Sequence, residues 1–407
     1  MIERKEYLEK LMAWKDKAVI KVVTGIRRAG KSTLLEQFRA RLQESGVSKE
    51  QIVSVNFEEL EYEALQDRHE LYAYLKGKLW QGQMTYIFLD EVQKVEGFEQ
   101  VVDSLYVKEN VDLYITGSNS WLLSGELATL LSGRYVEIGV LPFSFAEFYE
   151  SRGGGDRDRL FAEYMADGGF PYLAALNGSR ESVDTYLEGI YNTVILKDIE
   201  ERQRRRGEEP SRRRVTDLAL LQNISKFLAS SVGSPVSVKK IADYITSSGR
   251  KVSQNTVDDY VEALVQAFVF YRAERYDVEG KQLLVQNAKF YIVDLGLRRH
   301  LLPRRNYDLG FSLENVVCLE LKRRGFSGCV GTVGAAEGNF VARKGDEITY
   351  FQVSASLTDE ATFAREIAPL RKIGDDHRKK ILTLDRFTPG NYDGIEVVHA
   401  VDWLLEG

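Results

Sequence analysis

The amino-acid sequence predicts an α/β protein whose N-terminal part, residues 1–150, contains a parallel β-sheet covered by helices on both faces. Two observations predict this fold class. Short apolar runs rich in valine, isoleucine and tyrosine alternate with segments of helical periodicity. The runs are apolar at successive positions, as expected of strands buried on both faces, and a helix between consecutive strands is the usual connection in a parallel sheet.

Five strands are predicted along this region. The first occupies residues 18–23 and stops before Gly25, after which helical spacing continues to about residue 45. The remaining strands are predicted at residues 51–57, 86–89, 113–116 and 135–138. A polar, glycine-rich segment at residues 151–156 marks the end of the domain, because such segments favour loops.

Length, charge and cysteine content restrict the class of protein. A chain of 407 residues is expected to form roughly two to four domains. The net charge of −6 gives no global basic field, so any contact with nucleic acid has to come from a local patch. Cys318 and Cys329 lack the paired spacing of a zinc site and fit a reducing compartment. No apolar run reaches the ~18 residues that span a bilayer, and the charged N-terminus is unlike a signal peptide, so we expect a cytoplasmic protein without membrane contact.

The segment after the first strand has the pattern of a phosphate-binding loop. Residues 25–32 read GIRRAGKS and match G-x-x-x-x-G-K-[ST] in full. Glycines let backbone N–H groups turn towards phosphate oxygens, Lys31 supplies a cation for the β and γ phosphates, and Ser32 supplies a hydroxyl for Mg²⁺. The preceding strand and the following helix favour this interpretation over an ordinary glycine turn. The predicted nucleotide-binding residues are Gly25, Ile26, Arg27, Arg28, Ala29, Gly30, Lys31, Ser32 and Thr33.

Two carboxylates follow the buried-type strand at residues 86–89. Asp90 is predicted to hold Mg²⁺ together with Ser32, and Glu91 to polarise the water that attacks the γ-phosphate. The alternative is a pair of solvated carboxylates at the start of a helix, and the complete phosphate loop argues against it. The combination predicts a magnesium-dependent nucleoside triphosphatase in which Lys31 and Glu91 are catalytic.

Two further catalytic candidates follow the fourth strand and precede the fifth. Ser118 and Asn119 come after the strand at residues 113–116, where a polar side chain can orient the lytic water; capping a helix is the alternative role. The residue types do not decide between them, and Asn119 is carried forward as the candidate. Arg134 can stabilise transition-state charge in its own subunit or in a neighbouring subunit of an oligomer, and a surface salt bridge is its alternative role.

Several of these segments occur together in one known family. RRAGKS at residues 27–32, LDEVQ at 89–93, ITGSNS at 115–120, LSGR at 131–134 and LPFSFAEF at 141–148 resemble the prokaryotic AAA+-type ATPases that carry an uncharacterised C-terminal domain with a restriction-endonuclease-like core. GGFP at 168–171, LKDI at 196–199 and KFYIVD at 289–294 also resemble that family, so the likeness covers nearly the whole chain. The resemblance implies that ATP is the nucleotide and that a winged-helix domain separates the ATPase from the C-terminal domain.

The pattern of residues 215–303 predicts a winged helix independently. A short helix at 238–245 precedes a second helix that Ser253 can cap, and residues 268–276 and 281–285 read as a hairpin. The apolar face of the second helix consists of Val257, Tyr260, Val261, Leu264 and Phe268.

DNA binding by this domain is one interpretation, and a packing role is the other. On the first, Gln254 and Asn255 reach bases, and the phosphate contacts come from Lys239, Lys240, Arg250 and Lys251. The carboxylates of Asp258, Asp259 and Glu262 on the exposed helix face oppose DNA binding. Seven arginines at 202–214 form a second candidate surface, but four glutamates within residues 200–209 favour a solvated segment.

The C-terminal region predicts an endonuclease-like core that lacks its catalytic set. A helix at residues 314–321 precedes two strands at 339–343 and 348–354. A nuclease of this kind needs an acid on the first strand and an acid and a lysine on the second, whereas this chain has Asn339 and Ser354 at the first-strand acid and lysine positions. We therefore predict no nuclease activity. The remaining candidate ligands are Glu314, Glu320 and Glu337, for which core or surface roles are the alternative.

The predicted domains are an AAA+-type ATPase at residues 1–150, a helical lid with an arginine-rich linker at 151–214, a winged helix at 215–303 and an endonuclease-like domain at 304–407. The leading hypothesis is an ATP-hydrolysing switch whose nucleotide state controls the later domains, the last of which binds a protein partner. The alternatives are an ATP-regulated DNA-binding protein and a magnesium-dependent nuclease, which the missing lysine disfavours.

Overall fold

The computed structural model describes residues 2–117, 133–176, 179–193, 199, 217–277, 282–302, 309–333, 336–337 and 340–406. The chain divides into two units, one made of Met1–Leu141 with Gln266–Phe268 and the other of Pro142–Val265 with Val269–Gly407. The α/β class is confirmed by the two sheets of these units, whereas the division into four domains remains a prediction.

A five-stranded parallel sheet forms the centre of the first unit. Its strands lie in the order β2-β3-β4-β1-β5, and every neighbouring pair is parallel. The strands are β1 (Ile20–Thr24), β2 (Ile52–Asn56), β3 (Thr85–Asp90), β4 (Val111–Thr116) and β5 (Tyr135–Gly139). All five overlap the predicted strands. Because the strands are parallel, the carboxyl ends of β1, β3 and β4 meet at one edge of the sheet.

Both faces of this sheet are covered, as its apolar strands require. The helices are α1 (Lys5–Ala13), α2 (Lys31–Glu44), α3 (Arg68–Lys78) and α4 (Phe98–Tyr106), with 3₁₀ segments at Lys49–Gln51, Leu60–Gln66 and Val92–Lys94. On one face, Leu71 of α3 and Phe98 of α4 pack in a cluster with Ile87 of β3. On the other, Phe38 of α2 packs on Phe88 and Tyr114, whose stacked rings are 4.7 Å apart. Successive strand residues therefore serve opposite faces.

A ten-stranded sheet runs through the second unit. Its order is β14-β15-β13-β12-β11-β9-β7-β8-β6, and β10 pairs with β9. The strands are β6 (Pro235–Val236), β7 (Phe270–Asp277), β8 (Gln282–Ile292), β9 (Ser327–Val333), β10 (Ala336–Glu337), β11 (Phe340–Lys344), β12 (Glu347–Ser354), β13 (Arg378–Thr383), β14 (Gly390–Tyr392) and β15 (Ile395–His399). The β7-β8 hairpin, which corresponds to the predicted wing, is joined to the later strands by parallel pairing of β7 with β9.

Helices pack around this sheet. They are α5 (Phe145–Ser151), α6 (Arg157–Asp167), α7 (Pro171–Ala175), α8 (Arg180–Thr193), α9 (Leu218–Ser230), α10 (Val238–Ser247), α11 (Gln254–Gln266), α12 (Leu295–Leu301), α13 (Leu309–Arg323), α14 (Glu360–Lys372) and α15 (Ala400–Leu405). Polar contacts tie α13 to β8. The Asn315 amide accepts a hydrogen bond from Ile292 N at 2.8 Å and donates one to Ile292 O at 2.9 Å. The side chain therefore pairs with both backbone polar groups of Ile292, as a neighbouring strand would.

Candidate nucleotide site

The loop between β1 and α2 contains two glycines, and both have a positive φ angle. Gly25 has φ +141°, and a Cβ atom there would lie 2.1 Å from the carbonyl oxygen of Val140. Gly30 has φ +93° and is the N-cap of α2, while Arg28 in between has φ +68°. A side chain at residue 25 would clash with backbone, so glycine is required there.

Lys31 begins α2 and folds back over the loop. Its Nζ donates hydrogen bonds to the carbonyl oxygens of Gly25 at 3.0 Å and Ile26 at 3.3 Å, and the residue is buried. Ser32 is exposed in the first turn of the same helix, followed by the half-buried Thr33. A loop of turned backbone, a helix N-terminus and an ammonium group together can bind a phosphate anion.

The predicted carboxylates lie at the end of β3 and are held by the next strand. Asp90 and Glu91 are both buried, and Glu91 has a left-handed backbone with φ +53°. The hydroxyl of Thr116, at the end of β4, donates to Asp90 Oδ1 and accepts from the backbone N–H of Glu91 at 3.0 Å. The side-chain amide of Gln93 donates to Glu91 Oε2. The two carboxylates are therefore fixed by hydrogen bonds at the edge of the sheet from which the loop begins.

Thr116 was not predicted as a site residue from the sequence, and the predicted candidates, Ser118 and Asn119, lie two and three residues further along the chain. A signal was present: in a parallel sheet, a hydroxyl at the end of the strand next to Asp90 is positioned to meet it. Asn119 and Ser118 lie outside the described residues.

Arg134 lies at the other end of the sheet from the loop. Its carbonyl oxygen accepts a hydrogen bond from Ile20 N at 2.8 Å, so it is adjacent to the first residue of β1, whereas the loop follows the last. Its guanidinium pairs with Asp103 at 2.5 Å and lies over the ring of Tyr106. The structure does not bring Arg134 to the phosphate loop of its own chain.

Arg4 is a second residue that the sequence analysis missed. Although it precedes α1, its guanidinium donates to the carbonyl oxygen of Ala29 at 3.1 Å and to that of Leu141 at 2.9 Å. The side chain is buried and lies over the ring of Tyr7. An arginine 25 residues before Ala29 in the chain therefore contacts the loop. No motif in the sequence around Arg4 predicts this contact.

Comparison with known proteins identifies relatives of this chain and a domain family that includes the nucleotide site. The AAA domain family matches residues 17–149, and a domain of unknown function (DUF8612) matches residues 158–308. An uncharacterized protein of Haemophilus influenzae is 40% identical over 411 residues, which cover 100% of this chain and 99% of that protein. An uncharacterized protein of Methanocaldococcus jannaschii is 30% identical over 329 residues, 75% of this chain and 67% of that protein.

The chain therefore belongs to the same family as the Haemophilus influenzae protein, and its residues 17–149 form an AAA domain. A solved structure, the Walker-type ATPase of Pyrococcus abyssi, has the same fold with a TM-score of 0.51, at 18% identity and covering 74% of this chain and 96% of that one. The AAA domain confirms a P-loop ATPase domain and a general ATP-binding function. Among the residues that the structure describes, no helix is both long and apolar enough to cross a membrane.

The region after the AAA domain places the predicted DNA-contacting residues at the surface. Lys239 and Lys240 of α10 are exposed, as are Gln254 and Asn255 at the start of α11. Arg250 instead forms an ion pair with Asp217. Exposed Lys251 precedes α11, and of the opposing carboxylates Asp258 is exposed, whereas Asp259 and Glu262 are half-buried. The arginine-rich segment at 202–214 and Asn339 lie outside the described residues.

The predicted ligands of the C-terminal region are engaged in side-chain contacts. Glu314 accepts hydrogen bonds from Lys289 Nζ at 3.0 Å and Tyr291 OH at 2.7 Å, and Glu320 pairs with both Arg323 and Arg324. Ser354 donates to the carbonyl oxygen of Ser356 at 2.9 Å. The side chain of Glu337 is not among those described. Within the described part of the chain, no three acidic, histidine or cysteine side chains are grouped to hold a metal.

Proposed function

We propose that this AAA-domain protein is an ATP-hydrolysing switch, in which the nucleotide bound at the phosphate loop controls the second unit. The observation that carries the proposal is the arrangement around Thr116, which holds Asp90 and Glu91 at the sheet edge where the loop begins. Hydrolysis requires one carboxylate for the metal ion and a second that polarises the attacking water, both beside the phosphate loop. Nucleotide binding alone requires no water-polarising group.

The loop residues have distinct roles in this proposal. Backbone N–H groups of residues 25–33 surround the phosphates, and Lys31 exchanges its hydrogen bonds to Gly25 and Ile26 for phosphate oxygens. Ser32 and Asp90 would hold Mg²⁺, and one hydroxyl and one carboxylate fit this ion because it prefers oxygen ligands and keeps several of its waters. When bound, the ion would supply charge neutralisation at the phosphates. Glu91 accepts a proton from the attacking water.

The coupling to the second unit is supported by the course of the chain. The chain leaves the first unit at Leu141, next to Val140, whose carbonyl oxygen lies against Gly25 of the loop. Leu141 is held through its N–H by Tyr7 OH at 3.1 Å and through its carbonyl by Arg4. A change in the loop can therefore reach Pro142 and the unit that follows through the non-bonded contact between Gly25 and Val140 and the two residues after it.

Two variants test hydrolysis. Lys31→Ala is expected to lose nucleotide binding, measured with a fluorescent ATP analogue. Glu91→Gln is expected to keep binding but lose about 10²–10⁴-fold in turnover, because it removes the general base. Lys76→Ala and Glu36→Gln are matched controls on exposed helix positions. Normal ATP turnover by Lys31→Ala would contradict the proposal.

Hydrogen exchange tests the switch itself. The Glu91→Gln protein is compared with ATP and with ADP, and we expect altered amide exchange within residues 142–406. Identical exchange throughout that range in both states would leave an ATPase but refute the switch. A partner protein of the C-terminal region belongs to the same proposal, and its binding should then differ between the two nucleotides.

DNA binding is the second candidate, favoured by the helix order and by the exposed side chains on α10 and α11. The order of α9, β6, α10, α11 and the β7-β8 hairpin along the chain supports the winged-helix prediction. If the surface binds DNA, Lys239→Ala with Lys240→Ala should lower the slope of log affinity against log salt by about 2, close to 0.9 per lost phosphate contact. Arg250→Ala should have a smaller effect because Asp217 already neutralises that charge. No binding to duplex DNA at low salt would exclude this candidate. A nuclease stays disfavoured, since Ser354 cannot replace the lysine that polarises water.

A further inference from the structure

The N-terminal segment contacts the phosphate loop through the side chain of Arg4. Arg4 is 2% exposed, and its two terminal nitrogens donate to the carbonyl oxygens of Ala29 and Leu141. These acceptors lie on the loop and on the segment after β5. The guanidinium is suited to this bridge because it is planar and presents several donors in a fixed geometry.

Fixing the carbonyl of Ala29 fixes the amide of Gly30. A trans peptide is planar, and its C=O and N–H groups point in opposite directions. When Arg4 holds Ala29 O on one side of the loop, the N–H of Gly30 is directed to the other side. This peptide unit joins Ala29 to Gly30. Gly30 and Arg28, the residue before Ala29, both have positive φ, a conformation that Arg28 adopts only at an energetic cost. The hydrogen bond therefore acts at a point where the loop would otherwise relax.

Arg4 is itself held in place by α2. The backbone N–H of Arg4 donates to Gln37 Oε1 at 3.1 Å, and Gln37 Nε2 donates to Ile2 O at 2.6 Å. Tyr7 lies beneath the guanidinium, 4.7 Å from Arg4 Cζ to the ring centroid. The segment before α1 is thus attached to the helix that starts at Lys31, next to the loop it contacts.

We infer that Arg4 is a positioning residue for nucleotide binding: by holding Ala29 O and Leu141 O, it preorganises the phosphate loop and orients the Gly30 N–H. This inference rests on the proposed function of the loop. Arg4 binds a carbonyl oxygen of the loop. Its effect on the nucleotide passes through the backbone amides of the loop. Its loss should therefore weaken nucleotide binding, because the loop must then be ordered at the expense of binding energy.

The test compares Arg4→Gln, Arg4→Lys and Arg41→Ala in the full-length chain. Affinity for the fluorescent ATP analogue and the separate KM and kcat for ATP are measured. We expect Arg4→Gln to raise Kd and KM about tenfold with kcat changed less than threefold. Arg4→Lys should fall between it and wild type, because an ammonium can reach one carbonyl but cannot bridge two in a plane. Arg41→Ala, which removes the exposed ion pair between α2 and Glu3 in the segment before α1, should stay within twofold.

Folded Arg4→Gln with Kd and KM within twofold of wild type would overturn the inference. An equal loss in Arg41→Ala would also overturn it, since the effect would then belong to helix packing. If Arg4→Gln does not fold, Gln37→Ala replaces it, with an expected threefold rise in Kd and the same criterion for failure. Lys31→Ala separates the two proposals: if that variant binds ATP normally the nucleotide site itself is wrong, whereas a Lys31→Ala defect with unaffected Arg4 variants rejects only the role of Arg4.

Discussion

The hydroxyl of Thr116 donates a hydrogen bond to the carboxylate of Asp90 across neighbouring strands. The same oxygen accepts the backbone N–H of Glu91, so one side chain at the end of β4 holds both the carboxylate of Asp90 and the backbone of Glu91. Hydrogen bonds to charged groups contribute about 1.5–3 kcal/mol, more than neutral ones. The position of the Asp90 carboxylate and of the Glu91 backbone therefore depends on a residue of the neighbouring strand.

Replacing Thr116 with valine keeps the shape of the side chain and removes the hydroxyl. We expect ATP turnover to fall about tenfold or more, in line with the loss of a hydrogen bond to a carboxylate, while nucleotide affinity changes less than about threefold. Steady-state kinetics and titration with the ATP analogue measure the two effects. Thr116→Ser keeps the hydroxyl and should retain most of the activity. Wild-type kcat in Thr116→Val would contradict this role.

The buried pair of Lys21 and Asp112 lies at the opposite end of the sheet from the loop. Both residues are inaccessible to solvent, and Asp112 also accepts hydrogen bonds from Tyr114 OH at 2.9 Å and Asp16 N at 3.0 Å. Lys21→Met leaves a buried carboxylate without its cation and should lower the free energy of unfolding by about 3–5 kcal/mol. Adding Asp112→Asn should recover part of that loss, as measured by urea denaturation. Additive effects of the two changes would show that the charges do not interact.

Asp294 makes stability in the second unit depend on pH. Its buried carboxylate accepts the N–H of Gly169 at 2.6 Å and that of Leu297 at 3.2 Å, and burial raises its pKa from 3.8 to about 6. Because the folded pKa is raised, the folded state retains a proton that the unfolded state has lost. The contribution is fully present below about pH 4 and is lost as pH rises through about 6.

The stability difference between wild type and Asp294→Asn measures this effect. Between pH 4.5 and 7.5 the wild type should lose about 2 kcal/mol relative to the variant, whose amide does not titrate. Urea denaturation of both proteins at four pH values gives the comparison. A difference that stays constant over this range would show that Asp294 titrates alike in the folded and unfolded chains.

Arg134 should contribute little to catalysis within one chain. It is adjacent to the first residue of β1, and its ion pair with Asp103 is more than a third exposed on both sides. Arg134→Ala in dilute protein should keep turnover within about twofold and stability within about 1 kcal/mol, as for other exposed pairs. A large loss that appears only at concentrations where the chain self-associates would assign Arg134 to a neighbouring subunit's site. A large loss in dilute protein would contradict the geometry.

The sequence was sufficient for features that depend on neighbouring residues. Apolar runs predicted all five strands of the first sheet, and eight residues predicted the loop between β1 and α2. The contacts of Arg4 with Leu141 and of β7 with β9 were not predicted, because they join residues far apart in the chain and depend on strand order. The position of Arg134 could have been deduced. In a parallel sheet, a residue before one strand cannot be at the edge where another strand ends.

The parallel pairing of β7 with β9 restricts how the gene of this protein can have been assembled. Removing residues 304–407 would leave β7 paired with β8 alone and expose unpaired backbone groups on its other edge along Arg275, Tyr276 and Asp277, which promote aggregation. It would also leave the ammonium of Lys289 in the interior without Glu314. Recombination that exchanged the last hundred residues would have to preserve both the strand register and this ion pair. We therefore expect the two halves of the second unit to have been inherited together.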